Sequence, residues 1–88
     1  MTITAKIHRI LPGNPKLRAI AEVKLDGEFV IHNVRVVDSD KGLFAAMPRY
    51  LDHNGVWRDH CFPVTSECNA KINDAVIEAY REACDSLQ

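Results

Sequence analysis

The sequence predicts an α+β fold: a small antiparallel β-sheet of four to five strands, followed by one C-terminal amphipathic α-helix, in a dimeric protein. Apolar and polar residues alternate over the first two-thirds of the chain, an Asp26-Gly27 pair separates two such runs, and apolar residues recur every three or four positions after Thr65. Alternation is typical of half-buried strands, and a spacing of three or four residues is typical of a helix that packs on one side. Residues 1–88 are expected to form one domain, with strands within 3–63 and the helix at about 66–84.

A turn at Asp26-Gly27 predicts how the two strands beside it pair. The runs 17–25 and 29–37 flank this dipeptide, and both central residues of a type I′ turn need a positive φ. Counting back from a two-residue turn puts these pairs on the buried face: Leu25/Glu28, Val23/Val30, Ala21/His32, Ala19/Val34 and Leu17/Val36. The opposite face then carries Lys24/Phe29, Glu22/Ile31, Ile20/Asn33 and Arg18/Arg35.

The rest of the chain supplies the remaining strands and the helix. Further strands are expected at residues 3–10 and 43–47, and a second turn at Asn54-Gly55 lies between the runs 49–53 and 56–62. Thr65-Ser66-Glu67 is typical of a helix start, because a hydroxyl can cap the first turn and an acid favours the helix N-terminus. The apolar stripe expected to face the sheet consists of Cys68, Ile72, Val76, Ala79, Tyr80, Ala83 and Leu87.

A single helix can cover only one face of such a sheet. Under the pairing above, the uncovered face carries Ile20, Phe29 and Ile31 among charged residues. The edges of the sheet would also stay unpaired. A second copy of the chain would bury both features, so we expect a homodimer.

Composition limits the classes of protein that the chain can represent. Of 88 residues, 47% are hydrophobic and 26% charged, as in an ordinary folded domain. Cys61, Cys68 and Cys84 lack a C-x-x-C spacing, so neither a disulfide framework nor a structural zinc site is expected. No apolar run approaches the ~20 residues that cross a bilayer. We therefore expect a cytoplasmic protein without membrane contact.

No arrangement of side chains predicts catalysis. His60 and Cys61 are neighbours on a predicted strand, where successive side chains point to opposite faces, so the histidine is not placed to activate the thiol. Cys61 is expected to be a structural thiol. Phosphate-cradling glycine motifs are absent from the sequence. We expect no enzymatic activity, no cofactor and no bound metal.

Arginines near aromatic residues suggest a binding surface. Arg18 opposite Arg35 would place like charges across a ladder, which costs up to about 1 kcal/mol unless Glu22, a partner chain or a bound phosphate compensates. The segment Arg49-Tyr50 and Trp57-Arg58 places guanidinium forks, which suit phosphate and guanine, beside stacking faces. From these residues alone, nucleic-acid contact and ordinary hairpin packing are equally good interpretations.

Five short segments, in order along the chain, carry a resemblance to a known family. They are FVIHNVRVV at 29–37, KGLFAAMP at 41–48, GVWRD at 55–59, PVTSE at 63–67 and AVIEAY at 75–80. Together they resemble the stage V sporulation protein G (SpoVG) family. The resemblance implies a small, dimeric, cytoplasmic bacterial protein with an antiparallel sheet and a C-terminal helix. It also implies links to sporulation, asymmetric septation and control of gene expression, through binding of DNA and in some cases RNA.

The loop after Met47-Pro48 departs from that family. There the family commonly has a serine followed by a cluster of basic residues, whereas this chain has RYLDHNG at residues 49–55. Fewer cationic contacts would lower the affinity for nucleic acid and the dependence of binding on salt.

The leading hypothesis is a homodimeric regulator that binds DNA or RNA by holding phosphates with arginines. The candidate contact residues are Arg49, Tyr50, Arg58, Arg18, Arg35 and Lys71. The alternative is a protein-interaction adaptor with little or no nucleic-acid binding, and the net charge of −1 and the diluted basic loop fit it nearly as well. Salt dependence separates the two, because phosphate contacts weaken steeply with salt and an apolar interface does not.

Overall fold

The computed structural model describes residues 1–86 as two antiparallel sheets and one helix. The elements are β1 (Ile3–Ile10), β2 (Leu17–Leu25), β3 (Phe29–Ser39), β4 (Gly42–Ala46), β5 (Arg49–Leu51), β6 (Trp57–Asp59) and α1 (Ser66–Ser86). Strands β1 to β4 form a meander in chain order, and β5 pairs with β6 in a separate two-stranded sheet. The α+β class and an antiparallel sheet of four strands are confirmed, and the structure adds a separate two-stranded sheet that was not expected. Pro48, which cannot donate to a ladder, follows β4 at the point where the chain leaves the large sheet.

Helix α1 covers one face of the four-stranded sheet. Its buried side chains meet small and β-branched residues of β2 and β3, which alternate along each strand as a half-buried sheet requires. This core consists of Ala19, Ala21, Val23, Val34, Val36, Met47, Ile72, Val76, Ile77 and Tyr80. Because small side chains fill the sheet face, the helix can lie close to the strands and exclude water between them.

The helix begins where its capping residues predict. The Thr65 Oγ1 accepts a hydrogen bond from the Cys68 N–H at 3.1 Å, which satisfies one of the free donors of the first turn. The predicted stripe is confirmed at Ile72, Val76 and Tyr80, and it also includes Ile77. Leu87 lies outside the described residues.

The Asp26-Gly27 turn forms as predicted, but the pairing beside it differs. Both residues have positive φ values, 54° and 71°, and the Glu28 N–H donates to the Leu25 carbonyl at 3.0 Å. Leu25 nevertheless pairs with Phe29 instead of Glu28. The observed partners are Leu25/Phe29, Lys24/Val30, Val23/Ile31, Ala21/Val34, Ile20/Arg35, Ala19/Val36 and Leu17/Val37.

Irregularities in three strands complete this change of register. The extra residue is His8 in β1 and Arg18 in β2, and in β3 both His32 and Asn33 stand opposite Glu22. Asn33 has a φ of 61°, in the left-handed region that asparagine tolerates better than most residues. A β-bulge bends its strand and re-aims the side chains next to it, so the faces cannot be counted from the turn alone.

Several predictions of side-chain position are therefore wrong. Arg18 does not face Arg35, because Ile20 occupies that place. His32 is exposed instead of lying on the buried face, and its ring centroid is 6.0 Å from that of His8. Ile31 packs against the core instead of lying on the uncovered face.

The described part of the chain contains no helix that is both long enough and apolar enough to span a lipid bilayer.

The helix–sheet contact should dominate the stability of the fold. Val76 is fully buried, so Val76→Ala removes two buried carbons and leaves a cavity, and we expect the free energy of unfolding to fall by about 2 kcal/mol. Glu78→Ala, at an exposed position of the same helix, is the matched control and should change it by less than about 0.5 kcal/mol. Urea denaturation measures both, and equal losses in the two variants would contradict this packing.

Candidate nucleic-acid interface

Strands β5 and β6 form a hairpin that projects from the rest of the molecule. We call residues 48–60 the hairpin arm. All six strand residues of the arm are exposed, and the backbones of the two strands lie close to each other but to no other strand or helix within residues 1–86. Two hydrogen bonds fix the base of the arm: the His60 N–H donates to the Pro48 carbonyl at 2.8 Å, and the Arg35 Nη2 donates to the Met47 carbonyl at 3.1 Å.

The side chain of Asp52 organises the tip of the arm. Its Oδ1 accepts the N–H groups of Asn54 and Val56, each at 2.9 Å, and its Oδ2 accepts the Arg58 Nε at 2.7 Å. The ion pair with Arg58, together with these backbone hydrogen bonds, lowers the pKa of Asp52. An isolated two-stranded hairpin is marginally stable in water, so this network holds the arm in shape.

The other candidate side chains of the arm are also paired. The Arg49 Nε donates to the Asp59 Oδ1 at 3.0 Å, and the ring of Tyr50 lies 4.8 Å from that of His60. The arginine side chains stay about half exposed, 51% for Arg49 and 59% for Arg58. Exposed ion pairs contribute little stability, and each guanidinium keeps N–H donors for a further partner.

Two open grooves lie beside the arm. The first, of about 520 Å³, separates the arm from the uncovered face of the large sheet and is lined by Ile20, Asn33, Arg35, Pro48, Arg49, Trp57 and His60. The second, of about 570 Å³, lies on the arm and is lined by Arg49, Tyr50, Trp57, Arg58, Asp59 and Phe62. The structure therefore brings together four of the six candidate residues: Arg35, Arg49, Tyr50 and Arg58.

Arg18 and Lys71 lie apart from this group. The Arg18 Nε donates to the Tyr80 hydroxyl of α1 at 3.5 Å, and that hydrogen bond raises the pKa of Arg18. The bulge in β2 accounts for this position, because it directs Arg18 towards the helix instead of towards Arg35. Lys71 is exposed on α1, on the other side of the sheet from the first groove.

Some residues of the grooves were absent from the candidate set. Trp57 could have been found, since it precedes Arg58 next to a predicted turn. Asp52 was expected only to dilute the positive charge, and its role at the tip depends on the turn geometry. Asn33 and Ile20 reach the first groove because of the bulged register, for which no local sequence signal is visible.

The thiol of Cys61 and the ring of His60 serve different contacts. Cys61 packs against the core, while His60 stacks on Tyr50. Burial, and secondarily the charge of Asp59, raises the pKa of the Cys61 thiol, which disfavours the nucleophilic thiolate. Within residues 1–86, the side chains of His, Cys, Asp and Glu form no group of three that could hold a metal ion.

The Asp52 network predicts how the arm responds to acid. Because the folded-state pKa of Asp52 lies below its ordinary value of 3.8, its pairing stabilises the arm above that value and is lost as pH falls through the lowered pKa. NMR spectra should then show the Asn54 and Val56 amide resonances shifting with a midpoint below pH 3.8. This titration should vanish in Asp52→Asn and persist in the control Asp40→Asn. A midpoint above 3.8 for these two amides would contradict the network.

Comparison with known proteins identifies the family of this chain. The family description SpoVG matches residues 1–82. The "Putative septation protein SpoVG 1" of Listeria monocytogenes is 42% identical over 83 residues, which cover 94% of this chain and 81% of that protein. The "Putative septation protein SpoVG" of Bacillus subtilis is 44% identical over 71 residues, covering 81% and 73%, and that of Priestia megaterium is 48% identical over 65 residues, covering 74% and 68%. With a match over nearly its whole length, the chain belongs to the SpoVG family.

Proposed function

We propose that this protein is a non-enzymatic, homodimeric regulator of the bacterial cytoplasm that binds nucleic acid through the hairpin arm. The observation that carries the proposal is the grouping of Arg35, Arg49 and Arg58 with the exposed aromatic rings of Tyr50 and Trp57 on and beside one projecting element. Guanidinium groups hold phosphates and aromatic faces stack on bases, and the arm presents both to solvent.

The charges of the arm favour weak, salt-sensitive binding. Arg49 and Arg58 are balanced by Asp59 and Asp52, each of which pairs with one of the arginines through a single Nε. The terminal nitrogens of both guanidinium groups stay available to phosphate oxygens. A phosphate must compete with the carboxylates, so affinity depends on how many arginines act together.

The relatives support a regulatory setting. Their names refer to septation, and the family resemblance includes sporulation and control of gene expression. Binding of DNA or RNA by a small domain is a physical means by which such control could act.

Exposed apolar side chains support the homodimer. Next to the charged part of the arm, Leu51, Val56, Phe62 and Val64 are 50–87% exposed. Exposed apolar groups of this size, close together in sequence, are typical of a surface that another chain covers. Two copies of the arm would also double the number of arginines that can contact one nucleic acid.

The same apolar residues favour a second candidate function. If they bind a different protein instead of a second copy, the chain is an interaction adaptor with little or no nucleic-acid binding. An apolar interface of that kind would respond little to salt.

Nucleic-acid binding can be tested by fluorescence anisotropy with labelled duplex DNA and single-stranded RNA at salt concentrations of about 0.05 and 0.2 M. The wild-type affinity should fall steeply with salt. Arg49→Ala/Arg58→Ala should lower affinity at least about tenfold and make the log–log salt slope about 2 units shallower per protomer. Lys16→Ala/Lys41→Ala removes two exposed charges away from both grooves and is the matched control. Absence of binding at low salt would reject the proposal in favour of the adaptor.

The homodimer predicts a molar mass twice that of one 88-residue chain in multi-angle light scattering at micromolar concentration. Phe62→Asp/Val64→Asp should shift the mass towards one chain, because it places charge in the apolar surface. Asp40→Asn, on the exposed turn between β3 and β4, is the control and should stay dimeric. A wild-type protein that has the mass of one chain would overturn the homodimer.

A further inference from the structure

The first groove has the size and shape of a small-ligand cleft. Its volume of about 520 Å³ lies within the roughly 300–1,000 Å³ typical of such clefts. One wall belongs to the uncovered face of the sheet, through Ile20, Asn33 and Arg35, and the other belongs to the arm, through Arg49 and Trp57. Side chains from both parts of the fold therefore converge on one open space.

One wall of this groove is a large, exposed aromatic face. Trp57 is 62% exposed, although an indole ring is among the side chains that gain most from leaving water. Ile20 and Pro48 add apolar surface beside it. Flat rings stack well on such a face. Nucleotides combine a flat ring of this kind, the base, with a negatively charged phosphate.

Arg35 and Arg49 give the groove a positive lining. Each guanidinium is held by one hydrogen bond, Arg35 to the Met47 carbonyl at 3.1 Å and Arg49 to the Asp59 carboxylate at 3.0 Å. Each guanidinium keeps further N–H groups that can bind an anion. Because the side chain is already held in place, binding the anion costs little conformational entropy. No carboxylate side chain is among the described residues that line this groove.

Asn33 places an amide at the groove by way of a strained backbone. Its φ of 61° lies within the irregular part of β3, and such residues cluster at binding sites. An amide presents both a donor and an acceptor, which is the pattern needed at the edge of a base. His60 adds a second polar ring to the same lining.

We propose that this groove binds one unpaired nucleotide of a single-stranded nucleic acid, with the base stacked on Trp57 and its phosphate held by Arg35 and Arg49. A base can stack on a protein ring only after it leaves its own helical stack, which is easiest in a single strand. The protein should thus prefer single strands to duplexes. This inference rests on the proposed nucleic-acid binding and adds the form of nucleic acid that is selected.

Trp57 is the only tryptophan of the chain, so its fluorescence reports on the two grooves that it lines. The probes are a mixed-sequence DNA strand of about twelve nucleotides, the blunt duplex of that strand, and free AMP. We expect the strand to quench Trp57 emission and to bind about tenfold more tightly than the duplex. If free AMP quenches Trp57 emission at the same concentrations as the strand does, the groove binds a mononucleotide, and the proposal that a strand is the ligand is overturned.

Trp57→Leu keeps an apolar side chain but removes the stacking face. Affinity for the strand, measured by anisotropy of a labelled oligonucleotide, should fall about tenfold or more, and by a larger factor than affinity for the duplex. Phe29→Leu is the matched control, because Phe29 is an aromatic residue of similar exposure, 63%, that does not line the groove. This inference alone would be overturned if strand and duplex bind with equal affinity, Trp57 emission is not quenched, and Trp57→Leu binds the strand as tightly as the wild type does. Absence of binding to either probe would overturn the proposed function as well.

Discussion

The packing of α1 against one face of the four-stranded sheet is the contact on which the rest of the structure depends. Ala19, Ala21 and Val23 present a shallow surface, and Val76 and Ile77 fill it. Since the chain has one helix within residues 1–86, only one face is covered. The helix leaves the other face of the sheet uncovered within residues 1–86, and this division places the first groove on the side away from the helix.

The bulges decide which side chains this open face presents. Each adds a residue to one strand of a pair, and each lies on one of the three strands β1 to β3. Their combined effect moves Arg18 towards Tyr80, and it leaves Ile20, Asn33 and Arg35 as the sheet residues of the first groove. Bulges are often found next to functional sites because they re-aim side chains at a small cost to the ladder. The open face of this sheet follows that pattern.

The acids of the arm fix its shape as well as reduce its positive charge. Asp52 closes the tip of the hairpin and holds Arg58, and Asp59 holds Arg49. The family pattern places a basic cluster in this loop, and here a defined turn with two ion pairs replaces it. The arm therefore has few free positive charges, and its two arginines are held in place by ion pairs.

Local signals in the sequence were sufficient for the bounds of β1 and β2 and for the start of the helix, whereas the runs at 49–53 and 56–62 are longer than β5 and β6. Strands β1 and β2, the positive-φ turn at Asp26-Gly27 and the Thr65 cap agree with expectation, because each depends on residues close together in the chain. The arginine–aromatic segment of the arm was also visible, since its residues flank a short turn. Tertiary structure alone decided the pairing of β2 with β3, the separation of the arm from the sheet, and the meeting of Arg35 with Arg49. A bulge changes which side chains lie on each face of the sheet, and it depends on contacts between strands. The spacing of residues within one strand therefore does not reveal it.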